Sequence, residues 1–237
     1  HLRDILGEGH FSATNVRVMI AVANWRAVRV IANSRATADA FVAAGGNRSL
    51  LTVVYNGIDP APFDALAPDA RREVRAELGI PADAFVAGCF SRLHPWKGQA
   101  VFFDAVARMP GVHALVVGGA LFSGEAPYEA DLRARTELPT LAGRVHMLGA
   151  RNDVPRLLSA CDVVVHPSVL AEPFGRVVVE AMLASRPVVA TRAGGVPEVV
   201  TDGETGVLVP PGDAQVLGEA LEALRRDATR SARLASR

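Results

Sequence analysis

Four side chains in this sequence are of types that could do chemistry together: Arg92 and Lys97 in SRLHPWKG, and Glu172 and Glu180 in EPFGRVVVEAM. Arg92 and Lys97 stand five apart on a loop that opens a helix. A helix start offers unpaired N–H groups and a partial positive charge, so two cations beside it make a diphosphate site. Each charge-assisted contact would contribute about 1.5–3 kcal/mol. Lys97 also stands out by composition. It is the one lysine among 25 basic residues, the other 24 being arginine. A lone lysine in such a chain marks a place where a compact ammonium is needed and a planar guanidinium will not serve. A solvated basic loop is the plain alternative.

The acids suggest a second half of the same ligand. Glu180 falls among Val177, Val178, Val179, Ala181, Met182, Leu183 and Ala184, an apolar stretch that predicts a buried helix. A carboxylate inside it requires hydrogen-bond donors. Ribose hydroxyls would supply them, and a salt bridge to an arginine is the alternative. Glu172 and the backbone amides of Phe174 and Gly175 fall at the mouth of that helix, where they would hold hydroxyls of a sugar. If both acids lay on the helix, eight residues would part them by about 12 Å along its axis. Paired carboxylates in glycosidases stand about 5–9.5 Å apart. Glu172 and Glu180 therefore hold different parts of one ligand and do not form an acid/base pair.

Positioning these residues requires strands that end beside one another. From about Phe85 onward, short apolar runs alternate with helical stretches, the pattern of parallel βαβ units. Strands are expected at 85–91, 113–118, 145–148, 163–166, 187–191 and 206–209. Helices are expected at 99–108, 128–137, 154–160, 175–184, 197–200 and 214–225. Runs such as Val163-Val164-Val165 suit strands covered on both faces. The fold class is therefore α/β, a doubly wound parallel sheet in which ligands bind beyond the carboxyl ends of the strands. Residues 1–58 predict a helix at 13–28, a strand at 30–33, a helix at 37–44 and a strand at 51–55. That is too little for a core of its own, and it reads as the tail of another Rossmann-like domain. The stretch 56–68, rich in Pro, Gly and Asp, reads as a linker, and 69–237 as the ligand-binding domain. The chain opens at His1 and closes at Arg237 inside what reads as folded sequence, so both ends are expected to be cut.

Composition narrows the function classes. The 237 residues carry 25 basic and 25 acidic side chains, a balance that argues neither for nucleic acid nor for an anionic membrane. Half of the residues are hydrophobic, yet no apolar run is long enough to span a bilayer. Cys89 and Cys161 lack metal-ligand spacing and read as thiols of a reducing cytosol. His94, His113, His146 and His166 have no metal-like spacing and read as packing residues. Trp96 would either stack on a base or sugar or cover the sheet edge. The segment 16–32, with arginines at 17, 26 and 29, reads as a helix of the first domain or as a membrane-surface helix.

Together these segments resemble the large retaining glycosyltransferase family, glycosyl transferases group 1, whose members have the GT-B fold of two facing Rossmann-like domains. The resemblance rests on EPFGRVVVEAM together with IANSRATADAF, VVYNGID, SRLHPWKG, LGARNDVPRLLSACDVVVHPS and ATRAGGVPEVVTDGETGVLVPPGD, in order from about Ile31 to Asp213. It implies an enzyme moving a hexose-type sugar from a UDP- or GDP-linked donor to a glycan, lipid-linked or small-molecule acceptor, with retention; the donor half offers no well-placed nucleophile, which favours same-face displacement over a covalent intermediate. By the resemblance, Arg92 and Lys97 hold the diphosphate and stabilise the leaving group. Glu172, Phe174, Gly175 and Val177 surround the donor sugar, and Glu172 counts with Arg92 and Lys97 as catalytic. Glu180 binds the ribose, Arg151 in the loop 149–153 lies beside the base, and Gly194–Gly195 line the cleft. His1-Leu2-Arg3-Asp4 resembles a strand end that enters the cleft from the first domain. No metal or other cofactor is implied. A cytoplasmic setting follows, peripheral to the inner membrane where the acceptor is lipid-linked.

Two rivals remain. A dinucleotide-binding dehydrogenase would need a G-x-G-x-x-G turn after the first strand, and Gly88-Cys89-Phe90-Ser91-Arg92 does not supply it. A GT-B sugar-nucleotide epimerase shares the fold, and a donor-binding module without turnover is the non-enzymatic reading.

Overall fold

In the computed structural model, which describes residues 1–7 and 11–235, the chain builds two parallel sheets. The smaller pairs β1 (Val30–Ala32) with β2 (Leu51–Val53), Val30 facing Leu51. It follows α1 (Ala13–Arg26) and is crossed by α2 (Arg35–Ala43). Leu2 adds a parallel bridge to Ala32, which brings Arg3 and Asp4 to the end of this sheet. The short α3 (Ala61–Asp64) falls within the stretch 56–68 read as linker, and α4 (Ala70–Glu77) leads into the larger sheet.

The larger sheet has six strands: β3 (Phe85–Phe90), β4 (Val112–Val117), β5 (Val145–Met147), β6 (Val163–His166), β7 (Val188–Thr191) and β8 (Val207–Val209). They lie in the order β5-β4-β3-β6-β7-β8, and each neighbouring pair is parallel. Crossovers are made by α5 (Gln99–Ala107), α6 (Ala126–Thr136), α7 (Val154–Ser159) and α8 (Arg176–Leu183), with α9 (Ala214–Arg226) and α10 (Ala228–Ala235) after β8. This is the 3-2-1-4-5-6 order of a doubly wound sheet, with its switch between β3 and β6. The two loops that leave those strands carry the cations and the acids.

Period-two burial explains the layers. Ala87, Cys89, Val163 and Val165 face one side with Phe102, Phe103, Leu132, Leu217 and Leu221. Val86, Phe90 and Val164 face the other with Val74, Leu157, Leu158, Val178 and Ala181. Both faces are covered, which is why the strands read as apolar runs and not as alternation. At the amino ends of β3 and β6, the buried Arg75 pairs with Asp162 at 2.7 Å and donates to the carbonyls of Ala160, Ala82 and Ala84. Asp162 in turn accepts from the Val86 amide. This clamp fixes α4 to the end of the sheet opposite the ligand loops.

Three elements differ from expectation. The helix expected at 197–200 is a single 3₁₀ turn, Val196–Glu198, and α3 and α4 lie where no helix is expected. The charged α4 buries only Ala70, Val74 and Arg75, a sparse signal in the sequence. The helix α1 buries Ile20 and exposes Val18, Val22 and Trp25. No helix among the described residues is long and apolar enough to cross a membrane.

The two ligand loops touch at Gly98, where φ is 74° and a Cβ would stand 2.0 Å from the Pro167 carbonyl oxygen. Side chains are both strained at this φ and sterically excluded here. Gly98→Ala is therefore expected to lower the unfolding free energy by at least about 2 kcal/mol, read by urea denaturation. An unchanged midpoint and slope would show that the loops separate at little cost.

Candidate functional site

The loop after β3 is built to present two cations on one aromatic face. Its helix start is locked by the buried Gln99, whose amide donates to Ser91 Oγ at 2.9 Å and to the Arg92 carbonyl at 2.8 Å. His94 Nδ1 accepts from the Trp96 amide, which caps the 3₁₀ turn Pro95–Lys97. The indole of Trp96 then lies beneath both cations, 3.9 Å from Lys97 Nζ and 5.8 Å from the Arg92 guanidinium carbon. Such contacts contribute about 0.5–2 kcal/mol and hold a cation without consuming an anion. Trp96 thus serves the cations, a role neither expectation for it anticipated. Arg92 also reaches the buried Glu125 at 3.4 Å, and Glu125 accepts from the Leu121 and Phe122 amides.

The loop after β6 places Glu172 against these cations. Its carboxylate is almost fully buried and lies 2.6 Å from Lys97 Nζ, 3.2 Å from His166 Nε2 and 3.3 Å from Ser168 Oγ. Burial pushes the Glu172 carboxyl up, but the hydrogen bond and field of His166 and the Lys97 ammonium outweigh it and hold the group at about 2. His166 was read as a packing residue; it is a working partner of Glu172. The signal for it was its position as the last residue of an apolar strand at the switch point. Its Nδ1 is buried without a hydrogen-bond partner among the described residues. The contact with Glu172 is made by the other ring nitrogen, Nε2, at 3.2 Å. Behind Glu172, Gly194 makes a parallel bridge to it and the Gly195 amide donates to its carbonyl at 2.7 Å. A Cβ at Gly194 would meet the Glu172 carbonyl oxygen at 2.1 Å, so only glycine allows this approach.

Glu180 corrects one expectation. Its helix is not buried all round: Val178 and Ala181 are buried, while Arg176 is exposed and Val177 and Glu180 are half-covered. The apolar residues on the far side of α8 pack on the sheet, and the remaining face lines the cleft. Burial raises the Glu180 pKa, and Arg176, at 3.3 Å, opposes the rise. The partner is the arginine named as the alternative, at a distance and exposure that leave the carboxylate open to the cavity. Arg151 is not brought to the site. Its guanidinium is held by Asp153 at 2.7 and 2.8 Å, outside the cavity lining.

The cavity at the switch point has a volume of about 670 Å³, within the range of about 300–1,000 Å³ usual for ligand sites. Arg92, Lys97, Glu172, Phe174, Gly175, Val177 and Glu180 all line it, as do Trp96 and His166. Arg3, Asp4, Asn33 and Asn56 close it from the side of the smaller sheet. Cations in the middle, one acid beside them and a second acid along the wall suit a ligand with a diphosphate between two polyhydroxylated ends. Among the described residues no cluster of His, Cys, Asp and Glu is gathered as for a metal ion.

Sheet order, cleft and buried acid define the Rossmann-like half of a GT-B glycosyltransferase fold. The profile of the family described as Glycosyl transferases group 1 matches residues 70–237. D-inositol 3-phosphate glycosyltransferase of Mycobacterium tuberculosis is 36% identical over 184 residues, 77% of this chain and 37% of that protein. Anabaena HepE, solved in complex with UDP-glucose, superposes with a TM-score of 0.96 at 46% identity, over 100% of this chain and 64% of HepE. The C-terminal domain of Francisella tularensis LpcC, a glycosyl transferase group 1 protein, gives 0.66 at 28% identity, over 76% of this chain and 93% of that domain. The chain belongs to the glycosyl transferases group 1 family. It spans 64% of HepE and its match spans about a third of the mycobacterial relative.

The Glu172 environment predicts a pH signature. A carboxyl held at about 2 against an ordinary 4.5 contributes stability that is fully present above pH 4.5 and lost as pH falls toward 2. In Glu172→Gln that contribution is gone. The stability gap between wild type and variant, measured by denaturant titration, is therefore expected to be widest near pH 5 and to narrow steadily by pH 3. A gap constant over that range would mean that Glu172 titrates normally.

Proposed function

We propose that this chain carries the donor site of a retaining glycosyltransferase that uses a UDP-linked hexose, UDP-glucose being the first candidate. The observation that supports the reading most is the joint placement of Arg92, Lys97, Glu172 and Glu180 on one cavity at the β3/β6 switch. HepE, solved with UDP-glucose and alike over all of this chain, supports uridine as the donor base. Arg92 and Lys97 take the diphosphate, Glu172 and the amides of Phe174 and Gly175 take sugar hydroxyls, and Glu180 takes the ribose.

In the proposed reaction the bond between the anomeric carbon and the diphosphate oxygen breaks, and a bond to the acceptor oxygen forms on the same face. The acceptor hydroxyl proton passes to the departing diphosphate. Negative charge grows on that leaving group as the bond lengthens, and the cavity-lining cations Arg92 and Lys97 would stabilise it. Preorganised charge at the place where charge develops is usually the largest catalytic term. The acceptor, a glycan, a glycolipid or a small molecule, meets the donor from the side of Arg3, Asp4 and Asn33. Transfer is distinguished from epimerisation by the product: a new glycoside plus UDP, in place of an isomerised sugar nucleotide.

Calorimetric titration with UDP and with GDP in EDTA tests the reading. UDP is expected to bind with micromolar to submillimolar affinity without metal. Lys97→Ala is expected to weaken UDP roughly 10- to 100-fold through loss of a charge-assisted contact. Glu180→Ala is expected to weaken it less, and equally for uridine. If the folded chain bound neither nucleotide, the donor-site assignment would be wrong for this chain.

A further inference from the structure

We infer that Glu198 is a positioning residue that clasps the two sheets' lobes together and, through Gly194 and Gly195, sets the position of Glu172. The inference rests on the donor-site reading above for its consequence, and on separate contacts for its geometry. Glu198 lies outside the cavity, at the end of the 3₁₀ turn that follows β7. Its two carboxylate oxygens accept from the amides of Arg35 and Ala36, each at 2.8 Å, and one of them also accepts from Tyr55 Oη at 2.9 Å. All three donors belong to the lobe of the smaller sheet, and the carboxylate belongs to the other.

The accounting at α2 shows why this carboxylate matters. A helix start leaves its first N–H groups without internal partners and carries partial positive charge. Ser34 caps the third amide, that of Thr37, from within the lobe. Among the described residues the first two amides have no partner on their own side, and the first turn of α2 contains no acid. Glu198 supplies both acceptors and the missing negative charge from across the lobe boundary. The contact is therefore a bidentate cap shared between lobes.

The clasp leads directly to the donor site. The Glu198 amide donates to the Gly195 carbonyl at 3.0 Å, and the Gly195 amide donates to the Glu172 carbonyl at 2.7 Å. Gly195 is wedged between the lobes: a Cβ there would stand 2.4 Å from the Pro173 carbonyl oxygen and 3.0 Å from Ser34 Cβ. Tyr55 continues the seam, its ring 6.2 Å from that of Phe174. Released from α2, the turn carrying Glu198 would loosen Gly194–Gly195. Those two residues are the backing of the Glu172 backbone. The diphosphate end, held by Gln99 and the β3 loop, does not share this backing.

The test uses the chain with spin labels on introduced cysteines at the exposed Arg48 and Arg226; the native Cys89 and Cys161 are buried and remain unlabelled. Glu198→Gln is expected to widen the pulsed-EPR distance distribution between lobes by more than about 2 Å. UDP-glucose affinity should fall about fivefold, as for loss of one good hydrogen bond, with UDP changing less than about twofold. Tyr55→Phe, which removes one of the three donors and keeps the rest, should show a smaller change of the same kind. Unchanged distributions, or equal losses for UDP and UDP-glucose, would overturn the inference. If wild type bound neither nucleotide, the donor reading would fall while the label distances still judged the clasp.

Discussion

A carboxylate buried at the switch point of the large sheet is the constraint on which the rest of this site depends. An unpaired buried charge costs several kcal/mol, so Glu172 must be met from more than one direction. Lys97 reaches it from the loop after β3, His166 from the end of β6, and Ser168 from within its own loop. These contacts require two loops from different strands to close on each other, and Gly98 against Pro167 is the place where they do. They also require the backbone behind Glu172 to be approached closely, which Gly194 permits. The close contacts around the cavity follow from making one acid affordable in an apolar sheet.

The lone lysine is explained in the same terms. Lys97 Nζ sits between the face of Trp96 and one oxygen of Glu172. A guanidinium there would bring five N–H donors in a fixed plane into a space with one carboxylate oxygen and one aromatic face. An ammonium spends one N–H on Glu172, lays charge on the indole and keeps further N–H directions for the cavity. Elsewhere arginine serves well, as at Arg75, whose fork reaches Asp162 and three carbonyls. A chain biased toward arginine kept the point charge where the fork has nowhere to go.

Much of this was legible in the sequence, and the parts that were not share a cause. The alternation of apolar runs and helices located all six strands of the large sheet within a residue or two, because strands covered on both faces leave an unbroken apolar signature. Type and spacing beside strand ends singled out Arg92, Lys97 and Glu172, and the structure gathers them on one cavity. His166 was missed because a histidine after three valines looks like packing until the neighbouring strand end is known. Glu180 was placed in a buried helix because Val177, Val178 and Val179 are apolar, and only the tertiary fold tells which of them faces the cleft. Arg151, expected beside the base from its loop, pairs with Asp153 two residues on and lies outside the cavity lining. Glu198 could not have been found at all, since its partners are amides more than 160 residues distant.

The paired state of Lys97 and Glu172 limits how a donor can enter in the proposed reading. Breaking a buried pair by removing one partner costs about 3–5 kcal/mol. Micromolar binding amounts to about 8 kcal/mol in total, so a diphosphate that pulled Lys97 away from Glu172 would forfeit roughly half of it. The geometry offers a cheaper course. Lys97 keeps its bond to Glu172 and offers its remaining N–H groups to the phosphate, while His166 holds the carboxylate from the other side. Glu172 then keeps free acceptor sites for sugar hydroxyls, and its low pKa keeps it ionised while they bind. In that reading phosphate and sugar would be held by two halves of one ion pair. A donor that supplies both at once satisfies Lys97 and Glu172 together, which neither a free diphosphate nor a free sugar can do.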